Sequence, residues 1–221
     1  MNFEKNFYRY DDNACIQKKV AKKLKSFLDK SKYSKILELG CGTGIFTKEL
    51  IKDITIEKLY LNDYFDTQKY LENINYFKFM NKDMTLIDYE LLGKMDLIVS
   101  SSAFQWIENL ENLISKLSNM TNELVFSIYL KENMIEIQKH FNIGLKYWNG
   151  KDLKEMLNRY FASVEYFEEV HVLSFENSRE LLRHIKNTGV TGIGKSSYSQ
   201  IKSFSSKELT YHVGYFKCIK K

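Results

Sequence analysis

From Cys15 to Leu28 the apolar positions Ile16, Val20, Leu24, Phe27 and Leu28 recur at helical spacing. Lys18, Lys19, Lys22, Lys23 and Lys25 fill much of the remaining surface, which predicts an amphipathic helix. The short run Lys35-Ile36-Leu37-Glu38-Leu39 reads as a buried strand, closed by Gly40-Cys41-Gly42-Thr43-Gly44, and Ile45 to Lys52 resumes as a helix. Lys58 to Asn62 predicts a second strand ending at Asp63, Asn75 to Met80 a third ending near Asp83, and Met95 to Ser100 a fourth. A helix carrying Leu110, Leu113, Ile114 and Leu117 follows, and then a fifth strand from Glu123 to Leu130. Strands and helices alternating at this short spacing predict a doubly wound, mostly parallel α/β sheet with helices on both faces.

The rhythm changes after that. Met134 to Tyr147 and Asn149 to Tyr160 read as helices, Val164 to Phe175 as a strand and Glu176 to Thr188 as a helix. Tyr211 to Ile219 reads as a last strand, and the Gly- and Ser-rich run from Gly189 to Ser206 as a loop or lid. No stretch has the composition of an interdomain linker. The expected organisation is one domain over 1–221, with an N-terminal helical cap over about 1–32 and lid elements over about 131–206.

Composition narrows the class. Of 221 residues, 44% are hydrophobic and 28% charged, which suits a packed core and argues against disorder. Cys15, Cys41 and Cys218 are too few and too scattered for a disulfide scaffold or a four-ligand metal site, so no metal is expected. Neither a signal-like apolar run at MNFEKNFYRY nor a spanning stretch is present, so a cytoplasmic protein without a membrane role is expected. The net charge of +5 favours an acidic partner but is too mild and too dispersed to indicate nucleic acid.

The strongest local signal is Glu38-Leu39-Gly40-Cys41-Gly42-Thr43-Gly44. Glycines after a first strand let the backbone bend sharply and approach a ligand, and the next helix presents free N–H groups to the same space. The spacing is G-x-G-x-G rather than the G-x-G-x-x-G of dinucleotide sites, and no phosphate-loop lysine follows. Asp63, 19 residues beyond Gly44, and Asp83 each follow a predicted strand. In an open α/β sheet they belong at the same edge as the glycines, where a carboxylate can accept from ribose hydroxyls.

On these residues the chain resembles the class I S-adenosylmethionine-dependent methyltransferases, whose E-x-G-x-G-x-G loop it carries without departure. The resemblance implies a seven-stranded core with an antiparallel final strand. It also implies that Gly40, Gly42 and Gly44, with Cys41 packed beneath, shape the methionine and ribose pocket. Glu38 would position the loop and the cofactor amino group, Asp63 with Tyr64 the ribose, and Asp83 with Met84 the adenine. Ser100 to Phe104, with Trp106 beyond them, would line the cofactor and acceptor pocket after the fourth strand.

A closer resemblance, to the malonyl-acyl carrier protein O-methyltransferases of biotin synthesis, covers most of the chain. It rests on Tyr10-Asp11-Asp12-Asn13-Ala14 with Gln17, on Phe104-Gln105-Trp106, on Leu181-Leu182-Arg183-His184-Ile185-Lys186-Asn187-Thr188-Gly189-Val190 and on Leu209-Thr210-Tyr211-His212. Asn62-Asp63-Tyr64 stands where Asp-Leu/Ile-Ser is usual, with the acid retained. What this implies is methyl transfer to the free carboxylate of malonyl-acyl carrier protein; separately, a monomer is expected. Arg183 and His184 would lie on the acceptor side and Tyr10 would close over the cofactor, an arginine being able to grip a carboxylate through paired donors. A small-molecule or malonyl-coenzyme A carboxyl methyltransferase, or a non-catalytic protein that binds the cofactor, is the alternative. Cys41 sits near a helix N-terminus but is not expected to be a nucleophile, and no spacing joins two histidines as metal ligands.

Overall fold

The computed structural model describes residues 13–188 and 197–220. The described residues begin with α1 (Cys15–Lys25), β1 (Lys32–Leu39), α2 (Ile45–Leu50), β2 (Thr55–Asp63) and β3 (Lys78–Asn81). It continues through β4 (Leu97–Ser101), α3 (Leu110–Ser118), β5 (Glu123–Tyr129), α4 (Ile135–Phe141) and α5 (Gly150–Leu157). β6 (Ser163–Ser174), α6 (Ser178–Thr188), α7 (Tyr198–Ser203) and β7 (Glu208–Ile219) complete it.

The strands form one seven-stranded sheet in the order β3-β2-β1-β4-β5-β7-β6. β1 to β5 run parallel, and β7 is antiparallel to both β5 and β6. Because successive strand residues point to opposite faces, the apolar runs of β1, β4 and β5 feed two cores at once. Ile36, Val99 and Val125 face α1, α2, α4 and α6, whereas Leu37, Ile98 and Phe126 face α3 and α5. The sheet order reverses beside β1, which leaves a crevice at the carboxyl ends of β1 and β4, where open α/β sheets bind ligands.

Several elements differ from the sequence expectation. The helix predicted to run to Tyr147 stops at Phe141, because Asn142 turns left-handed at φ 52°. The run predicted as a loop from Gly189 to Ser206 contains α7, started by a capping box in which Ser197 and Gln200 exchange side-chain-to-backbone hydrogen bonds. By contrast β6, expected as a strand over Val164 to Phe175, is present as the edge strand of the sheet and pairs with β7 along its whole length. No helix among the described residues is long and apolar enough to cross a membrane.

Candidate active site

The crevice holds a cavity of about 370 Å³ at the carboxyl edge of the sheet. Its first wall is the glycine loop, which β1 delivers and β2 fastens. The Asn62 carbonyl accepts from Gly40 N–H and Cys41 N–H, both at 2.9 Å. The Asn62 amide in turn donates to the carbonyls of Met80 (2.9 Å) and Lys82 (2.7 Å), tying the loop to the end of β3. Gly40 has φ +75°, and a Cβ there would lie 2.4 Å from the Cβ of Ala103, so only glycine lets the loop touch the turn after β4. Gly42 (φ +53°) differs: a Cβ there would meet nothing within 4 Å, as expected where backbone borders space kept for a ligand.

Asp63 closes the loop from β2. Its carboxylate accepts from Gly42 N–H at 2.8 Å and from Phe65 N–H at 2.9 Å. Burial raises its pKa, and these backbone donors oppose the shift. Glu38 is buried deeper, at 1% exposure, and one carboxylate oxygen has no partner. Burial pushes its pKa up to about 8, with a smaller push from the Asp63 charge and an opposing effect from the Thr47 hydroxyl. Asp83 accepts at one oxygen from Thr85 N–H (2.8 Å) and the Thr85 hydroxyl (2.7 Å), and the next residue's carbonyl, that of Met84, accepts from Tyr89.

Glu38, Gly40, Cys41, Gly42, Asp63, Tyr64, Asp83, Met84 and Trp106, all read from the sequence, line this one cavity. Tyr64 lies at its mouth, 63% exposed. Gly44 is set back, where a Cβ would press on Leu71 at 2.8 Å, so it serves the packing of the turn before α2. Burial first, then the Glu38 and Asp63 charges, raise the Cys41 thiol well above its ordinary range, which keeps it protonated and unsuited to attack.

Among the described residues, others named from the sequence are not in this lining. Ser100 does not line the cavity: fully buried, its hydroxyl donates to the Leu39 carbonyl at 2.9 Å and stitches β4 to β1, while Ser101 and Ser102 form the wall. Arg183 lines a separate groove between α6 and α7 with Arg179, Tyr198 and Lys202. His184 packs by Phe175, with Nε2 at 2.9 Å from the Tyr211 hydroxyl, and burial lowers its pKa, so the ring is neutral near pH 7. Tyr10 lies outside the described residues. Among the described residues no group of His, Cys, Asp or Glu could hold a metal ion.

The sequence reading passed over Phe65 and Ile107, and gave no site role to Gln17, though all three line the cavity. Gln17 left a usable signal, since it stands on the apolar face of α1 at spacing i, i+3, i+4, i+7 with Val20, Ala21 and Leu24. The others come from the irregular turns after β2 and β4, which no periodicity marks.

A parallel sheet with one reversed strand, ending in a glycine loop flanked by acids, defines the methyltransferase architecture. The N-methyltransferase NodS of Bradyrhizobium japonicum, solved with S-adenosyl-L-homocysteine, shares it with a TM-score of 0.56 at 14% identity, over 97% of this chain and 96% of that one. A family model described as a methyltransferase domain matches residues 13–193. The malonyl-[acyl-carrier protein] O-methyltransferase of Calditerrivibrio nitroreducens is 34% identical over 97% of this chain and 93% of its own length. The enzyme of that name from Bacteroides thetaiotaomicron is 32% identical over 88% and 78%. The chain belongs to the methyltransferase family and, within it, to the group these O-methyltransferases form.

Proposed function

We propose that the chain transfers a methyl group from S-adenosylmethionine to the free carboxylate of malonyl-acyl carrier protein, in the making of a biotin precursor. The observation that carries the reading is the 34% identity to the Calditerrivibrio enzyme, sustained over 97% of the chain. The cavity fits the cofactor on its own terms. Backbone without side chains opens onto it at Gly42, and Asp63 and Asp83 stand at the ends of β2 and β3 to receive a nucleoside. Glu38 keeps an unpartnered buried oxygen behind the loop, suited to an ammonium group. When bound, S-adenosylmethionine supplies a methyl group on a sulfonium, an electrophile that an ionised oxygen can attack.

The acceptor carboxylate is already ionised near pH 7, so the chain need not supply a strong base. What its residues contribute is alignment and the exclusion of water. Trp106, Ile107, Ile45 and Phe46 give the cavity apolar walls for the second task. The cysteines carry no disulfide, Cys41 and Cys218 being buried free thiols and Cys15 an exposed one, which agrees with a cytoplasmic setting.

The test is incubation of the purified chain with labelled S-adenosylmethionine and a panel of malonyl-carrier protein, malonyl-coenzyme A and free malonate, each acceptor then weighed by mass spectrometry. Methyl ester on the carrier-bound malonate, with the highest kcat/KM of the panel, is expected. Exclusive labelling of free malonate or the coenzyme A thioester would replace the acceptor. No labelling at all, with the cofactor still bound, would reduce the chain to a binding protein.

A further inference from the structure

α1 buries one polar side chain where an apolar one would fit. Gln17 shares the inner face of the helix with Ile16, Val20, Ala21 and Leu24, is 6% exposed and lines the cavity. Its amide nitrogen has no hydrogen-bond partner. A buried donor without an acceptor is costly, and leucine would fill the position without that cost, so packing alone does not account for glutamine.

A second such group faces the same space. Ser102 follows β4 with φ 55°, a conformation that L residues adopt only when the surroundings hold them there. Ser127 of β5 does the holding: its carbonyl and its hydroxyl accept from Ser102 N–H at 3.0 and 3.1 Å. The Ser102 hydroxyl is buried, lines the cavity and lacks a partner.

The cavity therefore has two chemically different ends. Asp63 and Asp83 lie at the β2–β3 end, whereas Ser102 lies at the β4–β5 end, and α1 packs over β4 and β5. Among the described residues that line the cavity, none is lysine, arginine or histidine. Among these described residues, the donors that an anion meets are neutral.

We propose that Gln17 and Ser102 form a carboxylate subsite at the β4–β5 end of the cavity. The subsite rests on the methyl-transfer reading above and says how two neutral donors of the described lining can hold an anion. An amide and a hydroxyl can orient a carboxylate while leaving much of its charge on the oxygens, whereas a guanidinium draws more of it away. Two carboxylates reach such a site in this reaction, that of the cofactor's amino-acid tail and that of the malonyl group.

The test measures three quantities in Gln17→Leu and in Ser102→Gly: affinity for S-adenosylhomocysteine, affinity for 5′-methylthioadenosine, which lacks the amino-acid tail, and KM for malonyl-carrier protein. Ser102→Gly suits the left-handed backbone and removes the small hydroxymethyl side chain, so it carries the test if Gln17→Leu does not fold. A fall of about 10-fold or more in S-adenosylhomocysteine affinity, with methylthioadenosine unaffected, assigns the subsite to the cofactor's carboxylate. A comparable rise in KM with both affinities intact assigns it to the acceptor's. Gln17→Glu keeps the shape but brings a like charge, and is expected to do more harm than leucine. Equal losses for both nucleosides, or no change in any of the three, would overturn the proposal. If the wild type binds S-adenosylhomocysteine but methylates no malonyl thioester, the function fails while the two titrations still decide the subsite.

Discussion

Glu38 shows how tightly a single buried group ties stability to ligand binding. An ordinary glutamate ionises near 4.5, but in the folded chain Glu38 does so only at about 8. Below 4.5 it is protonated whether the chain is folded or not, and it contributes no pH dependence. Between 4.5 and 8 the unfolded chain loses this proton first, so folding stability falls as pH rises, and above 8 the deficit is constant. Glu38→Gln removes the effect. Its melting temperature should exceed that of the wild type by a margin that grows from pH 5 to pH 8, while S-adenosylhomocysteine affinity drops about 10-fold or more. A margin independent of pH in a calorimetric series would mean that the carboxyl is ionised throughout. The glycines and acids were legible at this scale because each is fixed by its neighbours along the chain: a strand end, a tight turn, a helix start. Arg183 was not, since its local pattern says nothing about whether α6 borders the cavity, and no described residue of α6 is in its lining. Asn62 read only as a departure from a pattern, and its hold on both the loop and β3 is a tertiary fact.

At the scale of elements, α5 and the edge strand meet at one glycine. A Cβ at Gly150 would lie 1.8 Å from the Tyr166 hydroxyl and 2.5 Å from its ring carbon. Tyr166 cannot simply swing aside, because its ring stacks on Phe216 at 4.8 Å and its hydroxyl donates to Glu168. Phe216 stacks in turn on Phe126 at 5.0 Å, and Phe126 packs on Phe104 at 5.0 Å, directly behind the cavity wall at Ala103. Overpacking of this kind costs about 1–3 kcal/mol. Gly150→Ala should lose that much in urea denaturation, and a Tyr166→Ala background should recover part of it; strict additivity of the two changes would show that they do not touch. Strand and helix order was readable because β1, β4 and β5 each carry a short apolar run: Ile36-Leu37, Leu97 to Val99 and Leu124 to Phe126. Boundaries were less so. β2 begins at Thr55, three residues before the expected Lys58, and β7 at Glu208, three before the expected Tyr211, because the polar ends of these strands are held by ladder bonds to neighbours distant in sequence. α7 was legible in principle, since Ser197 and Gln200 have capping-box spacing, but the surrounding glycines and serines outweighed it.

For the molecule as a whole, charge sets how a carrier protein would arrive. The net charge is +5, and α1 presents Lys18, Lys19 and Lys22 at the surface, while Lys25 pairs with Asp53 and Lys23 lies 3.8 Å from Glu169. An acidic carrier would be steered by such a surface, mainly in its rate of encounter, and salt would screen the effect beyond about 8 Å at physiological strength. Reversing Lys18 and Lys22 to glutamate should lower kcat/KM for malonyl-carrier protein at low salt and leave S-adenosylhomocysteine affinity intact. Stopped-flow or steady-state rates across a salt series would check this, and identical salt slopes in wild type and variant would make these lysines a merely solvated face.

The place of β7 also governs how the sheet is assembled during synthesis. β6 leaves the ribosome before β7, yet β7 is the strand that lies between β6 and β5. Until β7 is made, β6 has no neighbour to pair with, and β5, buried at every position in the finished fold, has one edge open. A growing chain held at that stage would display an apolar, unpaired strand able to join another chain. At about 5–20 residues per second the interval between the two strands lasts only seconds. A premature stop anywhere between Ser174 and Glu208 would make that exposure permanent, so the same interleaving that closes the finished sheet leaves its truncated products prone to aggregate.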